Sequence, residues 1–220
     1  MPSATWLHNP MAPHGRIPVL SVLILINQTV GVVCQFVQGT DPRFPLLYFS
    51  VNSAVLAAVA AALTLIGYDG AWYRRIRLAA VVGVLMSAVV YAAVIAPATP
   101  TGSWFQPNDD LPVRMAVLLI HGVAPVLVTA EYLLRPTPLS ARASTLWGYA
   151  WPLAYLAGIG ILTAIVGPDT VPYPFLRPSV TGWPTVAGAY VALLALVGVL
   201  GWLVGTSAGR ADSRMRGTVS

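Results

Sequence analysis

Six long apolar segments constrain the fold of this chain more than any other feature. They are residues 17–38, 44–67, 78–97, 113–134, 145–167 and 183–206. Each is about as long as the α-helix of roughly 20 residues that crosses the hydrocarbon core of a membrane. Glycine, proline and aspartate residues, which favour turns, separate the segments. The sequence therefore predicts an all-α polytopic protein of the cell membrane, with residues 17–206 folded as a bundle of six transmembrane helices.

The scarcity of charged residues excludes a soluble domain. Only 9% of the 220 residues are charged and 57% are hydrophobic, whereas about 25% of the residues in a soluble domain are charged. Only two charged residues, Arg114 and Glu131, fall inside the six segments. We expect Glu131 to pair with an arginine near one membrane surface. Arg114 is interpreted either as reaching the interface or as holding the carboxylate of a substrate.

The arginines also predict how the helices are oriented. Nine of the twelve fall before the first segment, in the second and fourth loops, or after the last segment, and alternating helices place all of these regions on one side. We call this the arginine-rich side, and the opposite side, with Arg43, Arg114 and Arg177, the arginine-poor side. By the positive-inside rule, residues 1–16 form a cytoplasmic N-terminal tail and residues 207–220 a basic cytoplasmic C-terminal tail.

Composition further predicts the partners of the protein. The net charge of +5 favours contact with anionic lipid headgroups at the cytoplasmic face. We expect no nucleic-acid partner, because no basic patch interleaved with aromatic residues occurs in a soluble segment. One cysteine and one histidine within the segments are too few for a metal or haem site, so no metal and no cofactor are expected.

Of the three histidines, His121 lies within an apolar segment, whereas His8 and His14 precede the first segment. Ionisable side chains are costly in a membrane and are therefore candidates for function. The imidazole is interpreted either as a general base or as an interhelical hydrogen-bonding group that orients packing. Pro125 lacks the amide hydrogen that would bond the His121 carbonyl, which predicts a kink in the fourth helix.

A serine hydroxyl lies at a depth similar to that of His121. Ser50 is six residues from the start of the second segment and His121 eight residues from the start of the fourth, or about 9 and 12 Å from the arginine-poor side at the rise of an α-helix. An alcohol becomes a nucleophile when a base removes its proton, so this pair is the minimum for nucleophilic catalysis. Asn52 and Ser53 lie nearby in the sequence and are candidate substrate contacts.

Four short motifs resemble those of a family of six-helix membrane proteins, which includes the androgen-induced and androgen-dependent membrane hydrolases of animals and many bacterial relatives. The segment Arg43–Ser53 is similar to a Y-F-T-x-Q-S-N segment of that family, and residues 121–125 to its H-x-x-x-P segment. Trp147, Pro152 and Tyr155 are similar to its W-x4-P-x2-Y helix, and Val171–Phe175 followed by Gly182 to its Y-P-Y-P-F loop. The likeness covers roughly residues 17–205.

The resemblance implies a hydrolase of fatty acid esters of hydroxy fatty acids. By position, the nucleophilic threonine of the family corresponds to Ser50 and its histidine to His121. Asn52 and Ala54 replace the glutamine and asparagine of the motif, which removes amides that could orient the site or donate to an oxyanion. Tyr173 is a candidate substrate contact, and its proline-rich loop, residues 168–182, is expected on the side of Ser50 as a lid or lipid entrance.

Three functions are compatible with these features. In the first, Ser50 attacks the ester of a membrane lipid and His121 takes the hydroxyl proton. The second is a small transporter or proton-coupled carrier in which His121 relays a proton, although transporters usually place several polar groups at the membrane midplane. The third is a non-catalytic lipid-binding membrane protein whose polar residues serve packing.

Overall fold

The computed structural model describes residues 19–135 and 139–217, and this part of the chain is helical without strands. Its α-helices are α1 (Val19–Val37), α2 (Phe49–Leu65), α3 (Ala71–Val90), α4 (Leu111–Val117), α5 (Ala124–Leu134), α6 (Ala141–Gly148), α7 (Ala150–Val166), α8 (Pro178–Thr181) and α9 (Trp183–Gly217). Two π-helical segments, Tyr91–Ile95 and Leu118–Val123, extend α3 and join α4 to α5. The predicted all-α class is confirmed, and the predicted N-terminal tail lies outside the described residues.

Several helices have the length and composition of membrane spans. Among the described residues there are five, Val19–Val37, Ala71–Ile95, Leu111–Leu134, Ala141–Val166 and Trp183–Arg210. Helix α2 is apolar but shorter, with 17 residues. Large apolar side chains such as Ile66, Ile165 and Trp183 are exposed on the outside of the bundle. An apolar surface of this extent is typical of contact with lipid rather than water.

The third helix begins earlier than the sequence predicts. Helix α2 ends in a short turn at Gly67, whose φ of 73° is a left-handed conformation that suits glycine, and α3 starts at Ala71 rather than at residue 78. The arginines predicted for this loop therefore lie on the first turns of α3. The guanidinium of Arg75 lies 4.9 and 4.2 Å from the ring centroids of Trp72 and Trp147, so aromatic rings accommodate its charge at the helix end.

A buried ion pair joins α3 to α5. The Nη2 atom of Arg77 lies 2.7 Å from Oε2 of Glu131, and the two side chains are 6% and 9% exposed. Nη1 of Arg77 also donates to the carbonyl of Arg135 at 2.9 Å. The expected pairing of Glu131 with an arginine is confirmed, and its partner is an arginine that the sequence places in a loop.

Proline interrupts the fifth predicted span. The chain is helical from Ala141 to Val166, but α6 ends at Gly148 and α7 begins at Ala150. Pro152 has no amide hydrogen to donate to the carbonyl of Gly148, four residues earlier, which explains a break at this position. Helix α9, the sixth predicted span, ends later than the sequence predicts, because it continues to Gly217 rather than stopping at residue 206.

Two glycines bring α9 against α6. A Cβ atom added at Gly205 would lie 2.7 Å from Cβ of Ser144 and 2.8 Å from Cα of Ala141, and one added at Gly201 would lie 2.9 Å from Cα of Thr145. These distances leave no room for a methyl group. Small residues allow membrane helices to approach closely, so α6 and α9 form a tightly packed pair.

We expect Gly205→Ala to lower the free energy of unfolding by about 1–3 kcal/mol, because the added methyl group pushes α9 away from α6. The matched control is Gly209→Ala on the same helix, where an added Cβ atom meets nothing within 4 Å. Alanine is also the better helix former, so the control is expected to be neutral or slightly stabilising. Unfolding in mixed micelles measures both variants, and equal stability would contradict the close packing of α6 and α9.

Candidate functional site

Ser50 and His121 line the same two adjoining cavities. The first, which we call the loop-side cavity, has a volume of about 550 Å³ and is bordered by the connections before α2, after α3 and before α8. The second, which we call the apolar pocket, is smaller, about 50 Å³, and lies among α2, α3, α7 and α9. Ile95, Tyr173 and Phe175 also line both. Ser50 and His121 are therefore located where the two cavities meet.

The two cavities differ in chemical character. Polar side chains line part of the loop-side cavity, namely Gln35, Asp41, Tyr48 and Thr99. The apolar pocket is lined mainly by hydrocarbon and aromatic side chains, including Phe49, Met86, Leu156, Leu193 and Val197. A ligand that fills both is therefore expected to have a polar part and an apolar part.

Ser50 is the second residue of α2, where a short 3₁₀ turn, Pro45–Leu47, leads into the helix. The Asn52 side-chain amide donates to the carbonyls of Leu46 and Tyr48 at 2.7 and 2.9 Å. These bonds fix the conformation of the turn. Asn52 thus supports the backbone that carries Ser50, and it does not line either cavity.

His121 lies in a π-helical segment immediately before Pro125. The amide of Ala124 bonds the carbonyl of Leu119, five residues earlier, instead of the carbonyl four residues earlier. The Asn27 side chain of α1 donates to the same carbonyl at 3.0 Å. The sequence predicts a kink from Pro125. The structure has a widened turn that carries His121, and such π turns are frequent at functional sites.

A second π-helical segment faces the first. It begins with Tyr91, whose ring stacks on the His121 imidazole with the centroids 4.2 Å apart and the planes 14° from parallel. The Tyr91 hydroxyl donates to the carbonyl of Trp104 at 2.8 Å, which anchors the ring to the connection between α3 and α4. Tyr91 therefore sets the orientation of the imidazole.

The imidazole is buried, yet it is incompletely hydrogen-bonded. His121 is 7% exposed, and its Nδ1 atom has no hydrogen-bond partner among the described residues. No direct hydrogen bond joins the imidazole to Ser50 in this part of the chain. Buried polar atoms are usually satisfied, so an unsatisfied nitrogen on a side chain that lines two cavities is a feature to be explained.

Tyr173 lies beside Ser50. Its phenol oxygen accepts a hydrogen bond from the Phe49 amide at 2.9 Å and also faces the amide and hydroxyl of Ser50. Its ring packs edge-on against that of Tyr48, whose hydroxyl donates to the carboxylate of Asp41. Burial raises the pKa of the Tyr173 phenol, so the group is neutral at physiological pH.

Two other predicted contact residues lie away from the cavities. Ser53 is 1% exposed, and its hydroxyl accepts a hydrogen bond from Nε1 of Trp151 at 3.1 Å. Arg114 is exposed and donates to the carbonyls of Gln106, Pro107 and Asp109 in the connection before α4. Both make contacts within the protein, so the structure gathers Ser50, His121 and Tyr173 at the cavities but not Asn52, Ser53 or Arg114.

Sequence reasoning missed Tyr91 and Asn27, which position His121. Both are polar residues within apolar segments, and that is the signal by which they could have been found. For metals, the described residues contain no group of three histidine, cysteine, aspartate or glutamate side chains that could hold an ion. No family model, curated protein or solved structure matches the chain.

Proposed function

We propose that this protein is a membrane-embedded lipid ester hydrolase in which Ser50 is the nucleophile and His121 the general base. The observation that carries the proposal is that both side chains line the same two cavities, one partly polar and one apolar. An intramembrane hydroxyl and imidazole at one junction are the minimum for acyl transfer. The resemblance of the motifs around both residues to those of the androgen-induced hydrolase family supports the same chemistry.

The proposal includes the topology. Helix α2, with its 17 residues, is short but within the range for a span, which makes six spans in the cell membrane. The bias of the arginines toward one side supports a cytoplasmic position for both termini. On that side we propose that Arg74 and Arg75, at the start of α3, contact anionic lipid headgroups.

The reaction follows from the placement of the two side chains. Ser50 Oγ forms a bond to the ester carbonyl carbon while its proton passes to the imidazole of His121, and an electron pair moves onto the carbonyl oxygen. The bond to the leaving alcohol then breaks, and the alcohol takes the proton from the imidazole. Water then gives a proton to the same imidazole and attacks the acyl carbon. The bond to Ser50 Oγ breaks, Oγ takes the proton from the imidazole, and the carboxylic acid is released. Catalytic hydrogen bonds commonly tighten only when substrate binds, so a gap in the empty site is compatible with this role.

The cavities favour an amphipathic ester from the membrane. The apolar pocket suits a hydrocarbon chain because its lining is almost wholly apolar. The loop-side cavity suits the polar end of the substrate, since Gln35, Asp41 and Thr99 line it. Pro172 and Pro174 border the same cavity, and we propose that the loop of residues 168–182 forms its entrance.

Covalent labelling tests the proposal. A fluorophosphonate probe with an alkyl chain is expected to label Ser50 of the purified protein, with loss of fluoride, and the Ser50→Ala variant is expected to lose the label. The matched control is Ser53→Ala, one turn along α2 and outside both cavities, which is expected to keep it. Equal labelling of wild type and Ser50→Ala would refute Ser50 as the nucleophile, and peptide mass spectrometry locates the adduct.

A further inference from the structure

We propose that the backbone N–H groups of Phe49 and Ser50 form an oxyanion hole, which the phenol oxygen of Tyr173 occupies in the resting protein. Tyr173 is then a gate that withdraws when substrate binds. The inference rests on the proposed hydrolase function, because only acyl transfer at Ser50 generates an oxyanion at this position.

The start of α2 supplies the donors. The first amides of a helix have no partner within the helix, and no side chain at the preceding position caps α2. The Phe49 amide instead donates to the Tyr173 phenol oxygen at 2.9 Å, and the Ser50 amide faces the same oxygen. The helix dipole adds positive potential at this end of the 17-residue helix. The Phe49 amide therefore bonds one oxygen atom beside Ser50, and the Ser50 amide and the positive end of the helix dipole face the same atom.

The imidazole of His121 independently indicates that this space receives a ligand. The side chain is 7% exposed, lines both cavities together with Ser50 and Tyr173, and has a buried nitrogen without a partner. A reacting ester between Ser50 and His121 would give the imidazole its proton-transfer partner. The same ester would direct its carbonyl oxygen toward the amides at the start of α2.

The position of Tyr173 explains why it acts as a gate. A phenol oxygen and a carbonyl oxygen are both acceptors, so the two compete for the same amide hydrogens. Tyr173 lies between Pro172 and Pro174 in the connection that borders both cavities. When its ring withdraws, the amides are free to stabilise the negative charge that forms as Ser50 Oγ bonds to the carbonyl carbon.

A proline substitution at residue 49 tests the donor role. Phe49→Pro removes one N–H group, and Phe49→Ala is the matched control, because both variants lose the ring but only one loses the donor. Proline is well tolerated at the first position of a helix. The preceding residue, Tyr48, has φ −86° and ψ 130°, which suits a residue before proline. We expect the proline variant to be phosphonylated at Ser50 by a fluorophosphonate about 10²–10³-fold more slowly than the alanine variant.

Tyr173→Phe tests the gate and remains informative if the proline variant does not fold. Loss of the phenol oxygen vacates the amides, so faster labelling of Ser50 is expected. A loss of about 10²–10³-fold would overturn the inference, because the phenol would then itself be the donor. Equal labelling rates for Phe49→Pro and Phe49→Ala would also overturn the inference. If the probe still labels Ser50 of the wild type in that case, the proposed hydrolase function stands. A wild type that takes no label at Ser50 refutes the hydrolase and the oxyanion hole together.

Discussion

Replacing His121 with alanine is expected to slow the phosphonylation of Ser50 by a fluorophosphonate about 10²–10⁴-fold, the usual contribution of a positioned general base. The serine hydroxyl is inert at neutral pH without a group to take its proton. The rate of fluorophosphonate labelling, followed against probe concentration in detergent micelles, measures the loss.

Rescue by added imidazole separates a base from a packing residue. The loop-side cavity, at about 550 Å³, has room for the small base beside Ser50, so imidazole in the buffer is expected to restore part of the labelling rate of His121→Ala. Wild-type labelling by this variant would exclude His121 as the base. A loss that imidazole does not restore, accompanied by a lower unfolding temperature, would assign His121 to packing.

Breaking the ion pair between α3 and α5 is expected to produce the largest loss of stability. Arg77→Ala or Glu131→Ala leaves the other charge buried, and such a loss destabilises a protein by about 3–5 kcal/mol. Replacing both residues at once, as Arg77→Met with Glu131→Leu, removes both charges and is expected to recover most of the stability. Unfolding in mixed micelles measures all three variants.

A more exposed pair at the start of α3 provides the control, with Asp69 in the turn before the helix. Arg74 lies 3.2 Å from Asp69, and the two side chains are 33% and 80% exposed. Solvent screens such a pair, so Arg74→Ala is expected to change the free energy of unfolding by less than about 1 kcal/mol. If Arg74→Ala and Arg77→Ala destabilise the protein equally, burial is not what makes the inner pair important.

Hydropathy was sufficient to predict the helices but not all of their ends. The sequence predicts that α3 starts after Arg77, because charged residues are unfavourable within a span. In the folded protein Glu131 neutralises Arg77, and the rings of Trp72 and Trp147 contact Arg75. Glu131 and Trp147 are distant in the sequence, so a window of local hydropathy does not include them.

The candidate site was partly predictable for a geometric reason. The rise per residue places Ser50 and His121 at similar depth, and the structure brings both to the same cavities. Depth does not determine direction, however. Ser53 is three residues after Ser50, yet its hydroxyl accepts a hydrogen bond from Trp151 and it lines neither cavity. Tyr91 stacks on His121, and Asn27 bonds the carbonyl of Leu119. Both contacts depend on the π-helical turns, which form as the helices pack together and are not encoded in a local sequence pattern.

The π-helical turns also change the angular phase of the helices that contain them. A π turn takes up about one residue more than an α turn, which rotates everything beyond it by about 100° relative to an uninterrupted helix. In the fourth span the π turn therefore separates the directions in which the two halves of the helix point their side chains. After the turn Glu131 faces Arg77, and before it Val117 faces the loop-side cavity. Deleting one residue between Leu118 and Val123 would restore an uninterrupted α-helix and rotate one half relative to the other. Either the contact of Glu131 with Arg77 or the position of Val117 at the cavity would then be lost.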